Sequence, residues 1–216
     1  MKIILDFDDA IFNMYAMMAE FKMIFHRSGF TCDEFDKLYK ICKEMTGGSF
    51  DSELMVDLFE RIRPYNKRSA LDEINSIIHR SRDFVYADFY EFINYFRQNE
   101  LILLSFGTTR FQYEKINNSG IADNFGKRII TAKDKSEEIE LLMSDPRDDI
   151  AFFIDDKAIV IDKVKRRFPE IIAMKIERPQ GGHISKKSMC ADYRIRDLYE
   201  ARQIINATIR ISVSAG

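Results

Sequence analysis

Apolar positions along the chain follow two different periods. Six short runs, "KIILDF" (2–7), "LILLSF" (101–106), "KRIIT" (127–131), "IAFFID" (150–155), "EIIAMKI" (170–176) and "YRIRD" (193–197), are nearly continuous in strand-forming residues. Runs of that length without alternation are strands covered on both faces, as in a parallel sheet flanked by helices. Between the later runs the spacing changes to that of helices, in "TTRFQYEKINNSG", "SEEIELLMS" and "DKVKRRFP". Alternating strand and helix predicts an α/β fold with a doubly wound parallel sheet.

One long stretch breaks the alternation. From about residue 12 to residue 98 only helical patterns appear, beginning with "AIFNMYAMMAEFKMIFHRSG" and stopping near Gly29. Thr31-Cys32-Asp33-Glu34 fits a capping box that opens "FDKLYKICKEM". After "GGSF" come "DSELMVDLFERI", "KRSALDEINSIIHRS" and "YADFYEFINYFRQN". This exceeds a plain βαβ crossover, so an all-helical lobe of residues 13–97 is expected within a core of 1–12 plus 98–216. The last of its helices should dock back on the core. Met14, Met17, Met18 and Met23, beside Phe12, Phe21 and Phe25, read as internal packing. The tail "ATIRISVSAG" is expected to fray.

Bulk properties narrow the function classes. The 216 residues are 46% hydrophobic and 31% charged, an ordinary globular balance. A net charge of −2 gives no basic field for nucleic acid or anionic membrane. No apolar run approaches the ~18–20 residues of a membrane span. Charges at Lys2, Asp6, Asp8 and Asp9 do not suit a secretory signal. Cys32, Cys42 and Cys190 lack metal-ligand spacing and read as reduced thiols, so a cytoplasmic location is expected. His26, His79 and His183 form no local zinc signature.

The strand ends carry the chemistry, because open α/β sheets bind ligands beyond the carboxyl ends of their strands. The first run ends in Asp6 and Asp8, whose period-two spacing aims both the same way, with Asp9 beside them. "LILLS" ends in Ser105, before the turn Phe106-Gly107 and a helix start at Thr108-Thr109 whose free N–H groups suit an anion. Asp134-Lys135-Ser136-Glu137 fits a D-x-x-E cap, which places Lys135 in a first helical turn; Lys133 is the alternative phosphate ligand. "FFIDD" ends in Asp155 and Asp156. Carboxylates gathered in one place repel one another unless a hard cation holds them, and Mg²⁺ takes a few carboxylates together with a substrate phosphate. One carboxylate can then attack phosphorus while a neighbouring carboxylic acid protonates the leaving oxygen.

In that order the segments "ILDFDDAI", "LILLS", Lys135 and "FFIDD" resemble the four motifs of the haloacid dehalogenase superfamily. The resemblance spans about residues 1–12 and 98–200. It implies Asp6 as the nucleophile that forms an aspartyl-phosphate, and Asp8 as general acid and then base. It implies Ser105 and Lys135 as phosphate ligands, and Asp155 and Asp156 as metal ligands with Asp6 and the Asp8 main-chain carbonyl. Dehalogenases of the superfamily lack the acid at position 8, which favours a phosphatase. Asp9 stands where many relatives have Gly, and Asp162 is not at the spacing of their further motif-four acid. The helical insert sits where the superfamily places a cap that recognises the leaving group.

The leading expectation is therefore a Mg²⁺-dependent phosphatase of a small cytoplasmic phosphomonoester, with neither nucleic acid nor membrane as partner. The alternative is a regulatory relative that binds a phosphorylated ligand or partner without turnover. Arg110, Gln112 and Lys115 are expected on the surface, and Gly181-Gly182-His183 as a loop before the last strand.

Overall fold

The computed structural model of the chain describes residues 1–107, 109–143, 150–183 and 185–214. Its strands are β1 (Lys2–Leu5), β2 (Leu101–Phe106), β3 (Lys127–Thr131), β4 (Ala151–Asp155), β5 (Ile172–Ile176) and β6 (Tyr193–Ile195). Each lies within one of the six apolar runs. They form one parallel sheet in the order β3-β2-β1-β4-β5-β6. The chain moves outward through β2 and β3, returns to β4 and moves outward the other way, so its direction reverses between β1 and β4. A crevice at the carboxyl ends follows from that reversal.

Both faces of the sheet are covered. Along β1, Ile3 and Leu5 join the larger apolar cluster, while Ile4 joins a second one with Ile139, Ile161 and Val164. That is the period-two alternation of a strand buried on both sides. Helices α6 (Thr109–Asn118), α7 (Lys135–Leu142), α8 (Ala158–Arg167) and α9 (Leu198–Ser214) accompany the sheet.

The insert between β1 and β2 holds α1 (Met14–Arg27), α2 (Cys32–Met45), α3 (Ser52–Ile62), α4 (Lys67–His79) and α5 (Ala87–Ile93). Its interior is aromatic: Phe25 and Phe59 stack with centroids 3.7 Å apart, and Phe30 meets Phe59 edge-on at 4.6 Å. The capping box of α2 forms as the sequence indicates, Thr31 and Glu34 each accepting the other's backbone N–H. Met17 is buried with Phe21 and Phe25, whereas Met23 is exposed. Among the described residues no helix is long and apolar enough to cross a membrane.

Three local features differ from expectation. Helix α1 starts at Met14, because residues 7–12 first make a tight loop in which the Ile11 and Phe12 N–H groups both donate to the Phe7 carbonyl. The pattern of 86–99 is only partly α-helical, since α5 ends at Ile93 and a 3-10 turn (Gln98–Glu100) leads into β2. Residues 207–214 of the tail stay helical instead of fraying, and 215 and 216 lie outside the described residues. Helix α9 runs to Ser214, anchored by buried Leu198, Ala201 and Ile205 at helical spacing.

The outgoing and returning segments of the insert pair as a neck. Asn13 N–H donates to Phe84 O at 2.7 Å, Tyr86 N–H donates to Ile11 O at 2.9 Å, and Phe12 bridges to Val85. Arg178 clamps this neck from the core. Its guanidinium donates to Asp88 at 2.7 and 3.0 Å and to Ala10 O at 2.7 and 3.1 Å, and Asp88 also accepts Leu198 N–H. Both charged partners are buried. Removing one leaves the other charge stranded, so Asp88→Ala should lower unfolding stability by about 3–5 kcal/mol. Urea denaturation of the variant measures this, and a loss below about 1 kcal/mol would mean that the clamp adds no more than a surface pair.

Candidate active site

The register of the sheet sets the acidic centre. Leu5 lies opposite Ile154, and Asp6 N–H donates to Ile154 O at 2.9 Å, so Asp6 and Asp155 leave neighbouring strands side by side. Asp156 follows directly. Oxygens of Asp6, Asp155 and Asp156 all lie within 4.8 Å of one another, and all three residues are buried. Lys135, at the start of α7, stands between two of them, its ammonium 2.7 Å from Asp6 Oδ1 and 2.7 Å from Asp155 Oδ2. Burial works against that ammonium, but Asp155 and Asp6 outweigh it and hold its pKa above the usual lysine range. Lys133 is exposed and outside this group. Asp134 caps α7 through Ser136 N–H rather than in a reciprocal box with Glu137.

The remaining oxygens of the acids divide into satisfied and orphaned. Asp6 Oδ1 also accepts Phe7 N–H at 2.7 Å, and Asp155 Oδ1 accepts Lys157 N–H at 2.8 Å. Asp6 Oδ2 and Asp156 Oδ1 are buried without a hydrogen-bond partner. Burial and the neighbouring carboxylates push the Asp156 acid up to about 9, and burial, partly offset by Lys135, raises Asp6 to about 6. A buried polar atom without a partner costs about 1–3 kcal/mol. The orphaned Asp156 oxygen, in a group of three acids, fits a hard divalent cation, and Mg²⁺ suits an all-oxygen set that leaves room for substrate.

Asp8 is held separately. Its Oδ1 receives the Lys115 ammonium at 2.6 Å and its Oδ2 receives Gln112 Nε2 at 2.9 Å. The same Gln112 nitrogen donates to Ser105 Oγ at 2.6 Å, joining the ends of β1 and β2. Burial alone would raise the Asp8 acid, but Lys115 and Gln112 prevail and hold it below the usual carboxylate range. Gln112 and Lys115 are therefore not surface residues. Both are buried, and Lys115 lies within 5.4 Å of the Phe7, Phe12 and Phe111 ring centres. Arg110 is exposed, as expected. Asp9 takes a left-handed φ of +56°, which accounts for a preference for Gly at that position; Asp tolerates it better than most residues.

A cavity of about 290 Å³ opens where the insert meets these strand ends. Asp8, Asp156 and Lys157 line it from the core, with Tyr39, Lys43 and Phe50 from the insert. Gly182 and His183 also reach it, and Gly182 N–H donates to Asp9 Oδ2 at 3.3 Å. Asp6, Ser105 and Lys135 are buried and do not line it. Asp162 accepts Ser188 Oγ and the Met189 and Cys190 N–H groups, holding the approach to β6. Thr108, part of the expected anion-binding turn, lies outside the described residues. Lys157 follows directly on "FFIDD", and Lys43 sits in the last turn of α2, yet neither has a motif that marks it in sequence.

Solved structures align over nearly the whole chain. A haloacid dehalogenase-like hydrolase of Burkholderia xenovorans matches with a TM-score of 0.74 and 15% identity, covering 93% of this chain and 96% of its own. The HAD-hydrolase YfnB of Bacillus subtilis, solved bound to magnesium, matches at 0.65 and 14%, covering 95% and 98%. The L-2-haloacid dehalogenase of Xanthobacter autotrophicus matches at 0.66 and 12%, covering 95% and 98%. The chain has the haloacid dehalogenase fold. No protein-family model matches its sequence, and no curated protein does. At such identities the haloacid dehalogenase fold is what these structures share with the chain.

The acidic centre generates a pH prediction. Metal-free, Asp156 binds its proton far more tightly folded, at about 9, than unfolded, at about 3.9. The folded state then carries more protons, so this contribution is complete below about pH 4 and is lost as pH rises through about 9. The melting temperature of chelator-treated protein should fall across this range more steeply than that of Asp156→Asn. Added Mg²⁺ should stabilise the unsubstituted protein more at pH 8.5 than at pH 6. Parallel curves for the two proteins would exclude Asp156 as the source.

Proposed function

We propose that the chain is a Mg²⁺-dependent hydrolase of small phosphate monoesters that carries the phosphoryl group on Asp6. The observation that carries the reading is the partition of Asp6: Oδ1 is taken by Phe7 N–H and Lys135, while Oδ2 is buried and unpartnered. A carboxylate oriented by one oxygen and free at the other suits attack on phosphorus. Asp6 Oδ2 forms the new P–O bond as the ester P–O bond breaks. Ser105 Oγ already accepts from Gln112, which leaves its own proton to donate to a phosphoryl oxygen. Lys135 neutralises charge on the same group. Asp156 Oδ1 and the non-attacking Oδ1 of Asp6, with Asp155 and the Asp8 carbonyl, would hold Mg²⁺, which when bound neutralises phosphoryl charge.

Asp8 and Lys115 act as a couple. Asp8 is an anion at neutral pH, and its proton for the leaving oxygen comes from the Lys115 ammonium 2.6 Å away. In the second half-reaction Asp8 takes a proton from the water that attacks phosphorus, and returns it to Lys115. The magnesium in YfnB supports the metal assignment. The dehalogenases among the solved structures raise attack on a halogen-bearing carbon as a second reading. Asp8 favours the ester, because a halide departs without a proton. Binding without turnover, the regulatory alternative, leaves the orphaned Asp6 Oδ2 without use.

Two variants test this. Asp6→Asn should stay folded and release no phosphate from an aryl phosphate, since an amide is not a nucleophile; full activity would sink the mechanism. Lys115→Met should lower kcat by roughly 10²- to 10⁴-fold on an alkyl phosphate, and much less on an aryl phosphate whose leaving oxygen needs little protonation. Equal losses on both substrates would separate Lys115 from proton transfer.

A further inference from the structure

Two lysines of the cavity have no use in the chemistry above. Lys43 enters from the insert and Lys157 from the core, both at least half shielded from water. Among the described residues neither side-chain ammonium has a carboxylate at ion-pair distance; Lys43 only overlies the Tyr39 ring, 5.5 Å from its centre. The position of Lys43 is built rather than accidental. Just past α2 the chain turns at Gly47 and Gly48, with φ of +68° and +97°, and Gly48 N–H donates to Lys43 O at 2.6 Å. A Cβ on Gly48 would lie 3.7 Å from the Phe106 ring, so this turn rests on the residue after Ser105. Lys43 is thereby set over the catalytic strand ends.

Lys43 shares the cavity with flat rings of the insert and α6 and, farther off than ion-pair distance, with the core acids. Tyr39 and Phe50 lie 5.8 Å apart and Phe50 meets Phe111 edge-on at 4.9 Å. Burial, reinforced by the charge of Lys157, pulls the Lys43 pKa below the usual lysine range against the weaker pull of Asp8, Asp156 and Asp9. An unpaired ammonium in such a place is costly until an anion meets it. The core already supplies Lys135 and Ser105 for the transferred phosphoryl group. At about 290 Å³ the cavity has room for a small leaving group only.

We propose that the leaving group carries a second anionic group, a carboxylate or a second phosphate, that pairs with Lys43 while its body packs against Tyr39 and Phe50. This rests on the phosphatase reading of the core, yet it is testable by binding alone. The probes are phenylphosphonate and its 4-carboxy, 4-phosphono and 4-carbamoyl derivatives, with inorganic phosphate as control, titrated calorimetrically in Mg²⁺. The charged derivatives should bind the unsubstituted protein roughly 10- to 100-fold more tightly than the neutral carbamoyl one, as a charge-assisted contact implies. Whichever of the two charged probes leads identifies the carboxylate or the phosphate.

Lys43→Met should erase that preference and leave inorganic phosphate affinity within about twofold, while Lys43→Arg should restore most of it. Melting temperatures of both variants confirm folding, and if the Met variant does not fold, Lys43→Gln serves in its place. Equal binding of charged and neutral derivatives by the unsubstituted protein overturns the proposal. So does a Lys43 variant that weakens inorganic phosphate as much as the charged derivatives, which would put Lys43 on the transferred group. A retained preference without hydrolysis of the matching phosphate esters would refute the phosphatase reading and leave the anion site standing.

Discussion

The molecule is organised around one buried cation, the ammonium of Lys135 held between Asp6 and Asp155. Two carboxylates leaving adjacent parallel strands repel one another in a medium that screens poorly, and Asp156 adds a third. Lys135 is the cation in direct contact with Asp6 and Asp155, and Lys157 adds its charge from farther off. The helix that carries Lys135 starts at the Asp134 cap, so one hydrogen bond to Ser136 N–H helps to aim the cation that makes the strand ends tolerable. The compensation is incomplete, because one Asp6 oxygen and one Asp156 oxygen stay unpartnered. Local instability of this kind is common where a structure is shaped for a ligand rather than for itself.

A second, separate balance surrounds Asp8. Its partners come from α6, through Lys115 and Gln112, so Asp6 and Asp8 answer to different cations although only one residue lies between them. That division pushes their acid strengths apart, Asp6 upward by burial and Asp8 downward by its lysine. The lowered Asp8 stays an anion beside Lys115, while the raised Asp6 depends on Lys135 to favour its charged form. Gln112 ties the two halves together, because the nitrogen that restrains Asp8 also fills one acceptor position on Ser105.

What the sequence discloses and what it hides follow from the range of the interactions. The inner strands are legible because they are buried on both faces, which leaves a run such as "LILLSF" with no polar interruption before its end. The cap at Thr31 is legible because both of its partners lie within four residues. Asp6, Asp8, Asp155 and Asp156 stand out because carboxylates that end apolar runs must meet a cation or water there. Lys115 is hidden. In "FQYEKINN" it reads as part of a solvated helix face, and only its partner Asp8, 107 positions away, accounts for its burial. Arg178 and Asp88 are hidden for the same reason, at a separation of 90. The end of α9 is hidden too, because β-branched residues at 208–213 weaken local helix propensity, while burial of its first turns against the core holds the helix from the other end.

These long-range contacts also decide how the insert relates to the sheet. Both segments of its neck are fixed, to each other through Asn13, Phe84 and Tyr86, and to the core through Arg178 on Ala10 and Asp88. Away from the neck it meets the core through softer contacts, among them Phe50 on Phe111, the Gly48 turn on Phe106, the exposed pair Glu53–Arg110 and α4 against α6. Aromatic contacts of this kind are worth about 0.5–1.5 kcal/mol beyond the area they bury, against several for a buried charged clamp. The stronger restraint between insert and core is therefore at the neck, and the weaker one at the Phe50 edge. Lys43 belongs to that weaker edge, beside Gly48, while Asp6, Asp8 and Lys135 are held at the ends of the sheet. The geometry thus sets an acidic centre fixed by the register of the sheet against a cavity wall that the insert supplies through its weaker contacts.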